Sequence, residues 1–225
     1  MEGQNSNRSR LIFLGGLAAA GLIALVVVLA TGGSDKKSSS AASGCKTVSA
    51  PAAKSVHLSQ PPLKAPPAGT TATVDTSCGS FTIALDTQNA PKTSASFVYM
   101  AQQGAYTDTS FTRIATGFVI QGGDPTESQA GNAGYTVTEP PPAGTKYTEG
   151  TVAMAKSGSE PPGTSGSQFF VVTGAQGGSL PTDYALLGKV TSGMDVVKRI
   201  ESIGPVTPPD GAPKSPVVIN TITIG

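Results

Sequence analysis

The segment Phe111–Pro125, FTRIATGFVIQGGDP, limits the possible folds more than any other part of the chain. It consists of two apolar, strand-like runs joined at Gly117, with Arg113 in the first run and Gln121 in the second. Because side chains alternate between the two faces of a strand, each polar group shares a face with apolar neighbours. A buried guanidinium without a partner is costly. Either an acceptor pairs with Arg113 or its face is kept open for a ligand, and an exposed arginine is the simpler alternative.

Two further segments, Val152–Thr173 and Leu180–Val190, extend the pattern. The pattern within Phe111–Pro125 is F-x-R-x-x-x-G-F-x-x-Q-G-G-D. Val152–Thr173 contains VAMAKSG and TSGSQFFVVT, and Leu180–Val190 reads LPTDYALLGKV. In this order and approximate spacing they resemble the signature of the cyclophilin-type peptidyl-prolyl cis-trans isomerases. Leu187 and Pro181 depart from the family pattern, which has phenylalanine and aspartate at those places. The resemblance covers the chain from Thr70 to Gly225.

Short strand signals separated by turn residues dominate this part of the chain. With 28 glycines and 18 prolines in the sequence, the pattern predicts an all-β barrel. Two helices are predicted, Pro91–Gln103 with Asn89 as its cap and Ser192–Ser202 with Ser192 as its cap. The resemblance implies an eight-stranded antiparallel barrel closed by two helices. The predicted strands are Thr71–Thr76, Ser80–Leu85, Ser110–Ile114, Phe118–Gln121, Gly150–Ala155, Gln168–Thr173, Leu186–Lys189 and Val217–Ile224.

The amino-terminal part of the chain has a different composition. Leu11–Ala30 is an uncharged run of about 20 residues, which at about 1.5 Å per residue is long enough to span a bilayer. It follows a short leader, residues 1–10, and we expect a transmembrane helix or signal-anchor. The alternative is a signal peptide cleaved after Ala30. An anchor with its leader inside would hold the rest of the chain outside the cytoplasm at the cell membrane, whereas cleavage would give a secreted protein.

Residues 31–69 are rich in Ser, Ala, Lys and Pro and contain few large apolar residues. We therefore expect a mostly disordered linker before a domain over residues 70–225. Two cysteines, Cys45 in the linker and Cys78 in the domain, are consistent with an extracytoplasmic disulfide. Closing a loop of about 34 residues would stabilise the fold by roughly 3–4 kcal/mol. Two unpaired thiols are the alternative.

Composition and residue counts exclude several kinds of function. The formal charge is +1 with 13% charged residues, and no basic cluster interleaved with aromatics supports binding to nucleic acid. The single histidine, His57, lies in the linker, so no Ser-His-Asp or Cys-His arrangement fits within the domain. One histidine and two separated cysteines give no metal site. The glycine-rich run 122–134 lacks the lysine of a phosphate-binding loop, and we expect no cofactor.

Rotation about an X–Pro bond needs none of these groups. Its barrier of about 18–20 kcal/mol comes from the partial double-bond character of the amide, and no bond is broken. A guanidinium can donate a hydrogen bond to the prolyl nitrogen once that nitrogen is pyramidal, which favours the transition state. Arg113 is the candidate for this donor, and the resemblance implies that Gln121 orients the substrate carbonyl or the arginine. Proline-containing polypeptides are the expected substrates.

The resemblance also implies which residues hold the substrate. Gln168 would line the neighbouring groove, and the backbone of Lys156 would pair with the peptide main chain. For Phe118 and Phe170 the alternative is a place in the core, and for Tyr184 it is an ordinary surface position. The residues expected to contact the substrate are Phe118, Val119, Met154, Ala155, Lys156, Gln168, Phe170, Leu180 and Tyr184.

Three departures from the family bear on inhibitor binding. Val119 replaces a methionine, Tyr184 replaces a histidine of some members, and the chain has no tryptophan, with Ser179 nearest its expected place. We therefore expect cyclosporin, the family's macrocyclic inhibitor, to bind weakly. Since the arginine is retained, we expect an isomerase that assists the folding of exported proteins. The alternative is a proline-peptide binding module tethered at the membrane surface, which would need only the apolar pocket.

Overall fold

The computed structural model describes residues 44–225. Within this range most elements are short antiparallel strands. The strands are β1 (Thr71–Thr76), β2 (Gly79–Leu85), β3 (Thr109–Ala115), β4 (Val119–Gly122), β5 (Val137–Thr138), β6 (Thr151–Met154), β7 (Thr164–Ser165), β8 (Phe169–Val172), β9 (Leu186–Ser192), β10 (Asp210–Gly211) and β11 (Val218–Ile224). The helices are α1 (Pro91–Gln102), α2 (Met194–Ile203) and a 3₁₀ turn at Ala175–Ser179. The predicted membrane span, Leu11–Ala30, lies outside the described residues. Between residues 44 and 225, no helix has the length and apolar character needed to cross a membrane.

Eight of the strands close into a barrel. Their order is β3-β11-β1-β2-β9-β6-β8-β4, and β4 pairs back with β3, so that every neighbouring pair is antiparallel. The prediction of an eight-stranded antiparallel barrel with two helices is confirmed, and each predicted strand corresponds to one barrel strand. The additional strands have two residues each: β10 extends the edge of β3 beside β11, and β5 pairs with β7 in a separate small sheet.

Alternation along the strands divides the apolar side chains between the inside and the outside of the barrel. In β1, for example, Ala72 and Val74 are buried while their sequence neighbours are partly exposed. The inward-facing residues, together with the buried faces of α1 and α2, form one contiguous core. We call this core the inner cluster. Its aromatic members are Phe81, Phe97, Tyr106, Phe111 and Phe169, and it also includes Cys78, Ile114, Ile120, Val152 and Met154.

Both helices begin differently from the prediction. Asn89 does not cap α1, because its amide bonds the Asp86 carboxylate instead. The first-turn N–H groups of α1 donate to Glu139, at 3.1 Å from Lys92 and 2.7 Å from Thr93. Helix α2 is preceded by Gly193 rather than capped by Ser192. Gly193 has φ 78°, and a Cβ there would lie 2.5 Å from the carbonyl oxygen of Ser80, so only glycine fits this start.

Residues 44–69, which we call the strap, form no helix or strand but lie against the barrel. Three strap N–H groups donate to carbonyls of the domain at 2.7–2.8 Å: Lys46 to Ser77, Lys54 to Pro125 and Leu58 to Ala133. Val56 packs against the inner cluster, and a disulfide joins Cys45 to Cys78. The predicted disordered linker is therefore wrong for residues 44–69. The composition of the strap did not indicate that it is ordered, because backbone hydrogen bonds and one disulfide hold it and large apolar side chains are few.

Candidate active site

Arg113 and Gln121 face each other on neighbouring strands. The register of β3 and β4 places them as direct partners, next to an irregularity in the pairing between Phe111 and Arg113. Directly opposed side chains in an antiparallel pair lie close enough to interact. Here Nη1 of Arg113 donates to Oε1 of Gln121 at 3.1 Å. The two polar residues that the sequence analysis singled out therefore form one unit.

A chain of amide hydrogen bonds fixes the orientation of Gln121. Its Nε2 donates to Oε1 of Gln168 at 3.1 Å, and Nε2 of Gln168 donates to the backbone carbonyl of Gly131 at 3.0 Å. Because a backbone carbonyl can only accept, the last bond sets the direction of every bond before it. The carbonyl oxygen of Gln121 is thereby turned toward Arg113. The arrangement presents a guanidinium whose position is defined before any substrate arrives.

Arg113 has a second partner in Asp210. Nε donates to Oδ1 at 2.8 Å and Nη2 donates to Oδ2 at 2.6 Å, so the carboxylate takes one edge of the guanidinium as a fork. Arg113 also lies 6.0 Å from the centre of the Phe118 ring, within the range of a cation–π contact. The sequence left two possibilities for Arg113, an acceptor that pairs with it or a site kept open for a ligand. Both are present, because the arginine is paired with Asp210 and also borders a cavity.

An apolar group on the outside of the barrel forms the wall of that cavity. Val119 on β4, Ala153 on β6 and Phe170 on β8 lie on adjacent strands and point away from the inner cluster. We call this group the outer cluster; it comprises Ala115, Val119, Tyr147, Ala153, Phe170 and Val172, with Phe118, Ala155, Leu180 and Tyr184 packed against them. The cavity has a volume of about 120 Å³ and is lined by Arg113, Phe118, Val119, Gln121, Ala155, Lys156, Phe170, Leu180 and Tyr184. It is well below the size of pockets for drug-sized ligands and suits a single small ring.

Tyr184 is held in this wall by Tyr147. The Tyr147 hydroxyl donates to the Tyr184 carbonyl at 2.6 Å and accepts from the Tyr184 N–H at 3.0 Å. Burial is the main cause that raises the pKa of Tyr147 above its usual value. The hydroxyl therefore stays protonated and keeps its donor at neutral pH. The Tyr184 ring packs edge-on against Phe170 with centroids 5.4 Å apart.

Lys156 supports Tyr184 from a buried position. Its side chain is only 4% exposed, and Nζ lies 2.9 Å from Oδ2 of Asp183 and 5.5 Å from the centre of the Tyr184 ring. Nζ also donates to the backbone carbonyls of Ser157 and Glu160. From the sequence, only the backbone of Lys156 was expected to contact the substrate. The structure adds a side chain that ties two loops together under the wall.

A second cavity, lined mostly by residues of polar and charged types, adjoins the first. It has a volume of about 350 Å³ and shares Gln121, Ala155 and Lys156 with the apolar cavity. Gln168 lines it, at the place that the sequence analysis expected for this residue. The two cavities form a groove along the barrel surface. Gln121 lies at their junction, and the guanidinium of Arg113, which is bonded to Gln121, lines the smaller cavity. An extended peptide could place one side chain in each.

Of the residues expected to contact the substrate, the structure brings all but one to this groove. Met154 instead lies in the inner cluster and is buried. The reason is the alternation of β6, which directs Val152 and Met154 inward and Ala153 outward. Met154 therefore supports the groove from within and does not line it. Alternation in the sequence already carried this signal.

Three residues of the site were missed by the sequence analysis: Tyr147, Asp183 and Asp210. No local pattern marks them, because each acts on a partner far away in the chain, and Asp210 is 97 residues from Arg113. His57, the single histidine, lies in the strap. Within residues 44–225, no three His, Cys, Asp or Glu side chains gather to hold a metal ion.

Comparisons with known proteins agree with this geometry. Residues 71–224 match the family model described as cyclophilin type peptidyl-prolyl cis-trans isomerase. A peptidyl-prolyl cis-trans isomerase-like 1 protein of Aspergillus fumigatus is 41% identical over 130 residues, which are 56% of this chain and 78% of the relative. A peptidyl-prolyl cis-trans isomerase of Arabidopsis thaliana is 34% identical over 142 residues, covering 58% and 80% of the two chains.

A similar structure has also been solved. It is a cyclophilin-type isomerase of Cryptosporidium parvum, crystallised in the presence of the dipeptide Ala-Pro. The TM-score is 0.63 at 27% identity, and the match covers 69% of this chain and 98% of the other. The chain belongs to the cyclophilin-type peptidyl-prolyl cis-trans isomerases and is an enzyme of that class.

Proposed function

We propose that this isomerase accelerates rotation about X–Pro bonds in exported polypeptides, with Arg113 as the catalytic hydrogen-bond donor. The observation that carries the proposal is the cavity of about 120 Å³, which has side chains of the outer cluster as its wall and Arg113 in its lining. A proline ring placed in that cavity would bring its nitrogen next to Arg113. The Cryptosporidium parvum isomerase was crystallised with Ala-Pro, and we propose substrates of the same kind, proline-containing peptides, for this chain.

The chemistry requires little beyond position and charge. The planar amide nitrogen has no free lone pair, whereas the twisted amide has a pyramidal nitrogen that accepts a hydrogen bond. A donor at this point stabilises the transition state more than the ground state and so lowers the barrier. Gln121 supports the donor by holding Nη1 of Arg113 at 3.1 Å.

The outer cluster would supply the binding energy. Phe118 and Leu180 at the rim and Phe170 at the floor offer apolar area to a proline ring, and burying such area is worth about 25 cal/mol per Å². This contribution is the same for the planar and the twisted amide. It should therefore set the affinity for the peptide, while Arg113 sets the rate of turnover.

The test is the variant Arg113→Ala, assayed with a short X–Pro peptide. We expect kcat to fall by about 10²–10³, as when one transition-state donor is removed from an enzyme, while peptide affinity changes little. Arg113→Lys is the matched control, because it retains the charge but not the planar fork, and it should recover only part of the rate. A thermal melt of each variant reports whether the barrel is intact. Unchanged turnover in Arg113→Ala would contradict the catalytic role.

We also propose that the enzyme works outside the cytoplasm, anchored by residues 11–30. Two features support this location: the uncharged run in the sequence and the Cys45–Cys78 disulfide, a bond typical of oxidising compartments. Amino-terminal sequencing of the native protein, combined with membrane fractionation, tests the anchor. An intact leader in the membrane fraction is the expected result. A mature amino terminus just after Ala30 would instead indicate secretion.

A further inference from the structure

Asp210 contacts the guanidinium of Arg113 through both carboxylate oxygens, at 2.8 Å to Nε and 2.6 Å to Nη2. The two side chains are 27% and 44% exposed. Exposed ion pairs contribute little to folding stability, so the fold does not need this one. A fork of two short, parallel hydrogen bonds nevertheless defines the orientation of a guanidinium better than any single contact. The pair therefore fixes the orientation of the guanidinium beside the smaller cavity.

The carboxylate is itself held by a compact hairpin, residues 205–213. The hairpin is attached to the strand that carries Arg113, because β10 pairs with Ile114 and Ala115 of β3. Further hydrogen bonds close it: Val206 N–H to the Ala212 carbonyl at 2.7 Å, Asp210 N–H to the Thr207 carbonyl at 3.1 Å, and Thr116 N–H to the Pro209 carbonyl at 3.0 Å. Asp210 is therefore fixed relative to β3.

A count of the N–H groups on Arg113 shows what remains for a substrate. Arginine has five, and Asp210 takes the one on Nε and one of the two on Nη2. Gln121 takes one of the two on Nη1. One N–H on each terminal nitrogen is left, on a guanidinium that borders the apolar cavity. With one edge held by Asp210 and another by Gln121, the guanidinium cannot rotate without breaking a hydrogen bond.

We propose that Asp210 is a positioning residue for Arg113. It orders the guanidinium before the substrate binds, so that the remaining N–H groups are already directed at the prolyl nitrogen. Without the fork, a long and partly exposed arginine side chain would sample many rotamers, and ordering it would add to the barrier. This inference rests on the catalytic role proposed for Arg113.

The variant Asp210→Asn tests it with almost no change in shape. The asparagine amide replaces one of the two carboxylate oxygens with an NH₂ donor, so it cannot keep the fork of two parallel hydrogen bonds from Nε and Nη2. We expect kcat to fall about tenfold, with KM within about twofold of wild type, and Asp210→Glu to recover part of the loss. The Nε–H resonance of Arg113 in nitrogen-15 NMR spectra should shift in Asp210→Asn.

The matched control is Asp195→Asn. Asp195 is also an exposed carboxylate paired with an arginine, Arg199, but through one bond of 3.2 Å on α2. It removes the same charge, and kcat should remain at the wild-type value. The double variant Arg113→Ala/Asp210→Asn completes the design. Because Asp210 acts through Arg113, adding Asp210→Asn to Arg113→Ala should cause no further loss.

Each other outcome would overturn the inference. Wild-type or increased kcat in Asp210→Asn would show that the carboxylate is dispensable or competes with the substrate. An equal tenfold loss in the Arg113→Ala background would show that Asp210 acts independently of the arginine. Wild-type kcat in Asp210→Asn together with a nearly inactive Arg113→Ala would reject this inference alone. Full activity in Arg113→Ala would reject both it and the catalytic role of Arg113.

Discussion

The strands that carry the outer cluster also contribute to the inner cluster, yet the two clusters have different roles. Phe169 and Phe170 are consecutive residues of β8 and are 0% and 4% exposed. Phe169 is surrounded by Phe97, Tyr106 and Phe111, with ring centroids 5.7–6.0 Å away. Phe170 contacts Tyr147 and Tyr184 but also lines the apolar cavity. The side chains of the inner cluster fill the space around one another. Those of the outer cluster leave a cavity beside them.

The binding site exists because one of two apolar faces of the barrel is left incomplete. The barrel is apolar on both faces where β4, β6 and β8 meet, and only the inner face is completed by the protein's own side chains. Under the proposal above, the proline ring of the substrate completes the outer face. Burial fractions alone do not separate the two, because both phenylalanines are almost fully covered. What separates them is whether the neighbours leave a space.

The largest expected effect is on the core. Phe169→Ala should lower the free energy of unfolding by about 3–5 kcal/mol, because it removes a ring from the inner cluster and leaves a closed void. Phe170→Ala should cost less, about 1.5–3 kcal/mol, since the space it vacates opens to water. Phe170→Ala should also raise the KM for an X–Pro peptide, whereas folded Phe169→Ala should keep a near-normal KM. Denaturant unfolding and a peptide isomerisation assay measure both.

Equal losses of stability in the two variants would contradict the distinction between a filled inner cluster and an outer cluster that borders a cavity. So would a normal KM in Phe170→Ala. Because the two residues are adjacent and chemically identical, each variant serves as the control for the other.

The next largest effect on stability concerns the strap, which packs against the inner cluster. Cys45 packs against the inner cluster and Cys78 is part of it. Cys45→Ala should lower the free energy of unfolding by about 3–4 kcal/mol, because the chain-entropy contribution of a loop of this length is lost. The melting temperature of wild type should fall when reductant is added, and that of Cys45→Ala should not respond. Loss of peptide affinity without loss of stability would place the strap on the side of the groove instead.

A smaller effect is expected on the outer side from Lys156→Met. The variant keeps the apolar stem but removes the cation beside the Tyr184 ring, a contact worth about 2 kcal/mol when the cation is buried, as Lys156 is. The KM for an X–Pro peptide should therefore rise by up to about thirtyfold, a change of similar free energy. Asp183 is left without its partner but is partly exposed, so the variant should still fold. An unchanged KM would show that Tyr184 needs no support from Lys156.

The smallest effect at neutral pH is expected from Tyr106→Phe. Burial is the main cause that raises the pKa of Tyr106 well above its usual value of about 10. Above that pH the unfolded chain releases this proton while the folded protein retains it, so stability is full below the unfolded pKa and falls as the pH rises. Melting curves between about pH 9 and 11 should show a shallower decline for Tyr106→Phe than for wild type. Parallel declines would mean that Tyr106 does not contribute.

Patterns between residues close together in the sequence were enough to predict the barrel strands and the two central polar residues of the site. Short strand signals separated by turn residues predicted all eight barrel strands. Arg113 and Gln121 could be recognised because a long polar side chain stands out within an apolar strand. Met154 was misassigned because membership of a motif was given more weight than the alternation of β6, which directs it inward.

Contacts that depend on distant parts of the chain could not be predicted in this way. Asp210 lies in a proline-rich turn with nothing to link it to Arg113, and Glu139 replaces the expected Asn89 at the start of α1. The strap is ordered by backbone hydrogen bonds, which any sequence can make and which composition does not reveal. Each of these contacts is formed only after the barrel has brought the two partners together.

The position of the disulfide decides which part of the molecule would bear a mechanical load applied through the amino terminus. Cys45 lies near the start of the strap and is covalently joined to Cys78, between β1 and β2. A pull applied to the chain before Cys45 would pass through the two sulfur atoms into the barrel, at the turn between β1 and β2. The hydrogen bonds of the strap would bear none of that load, because Lys46, Lys54 and Leu58 all follow the crosslinked cysteine.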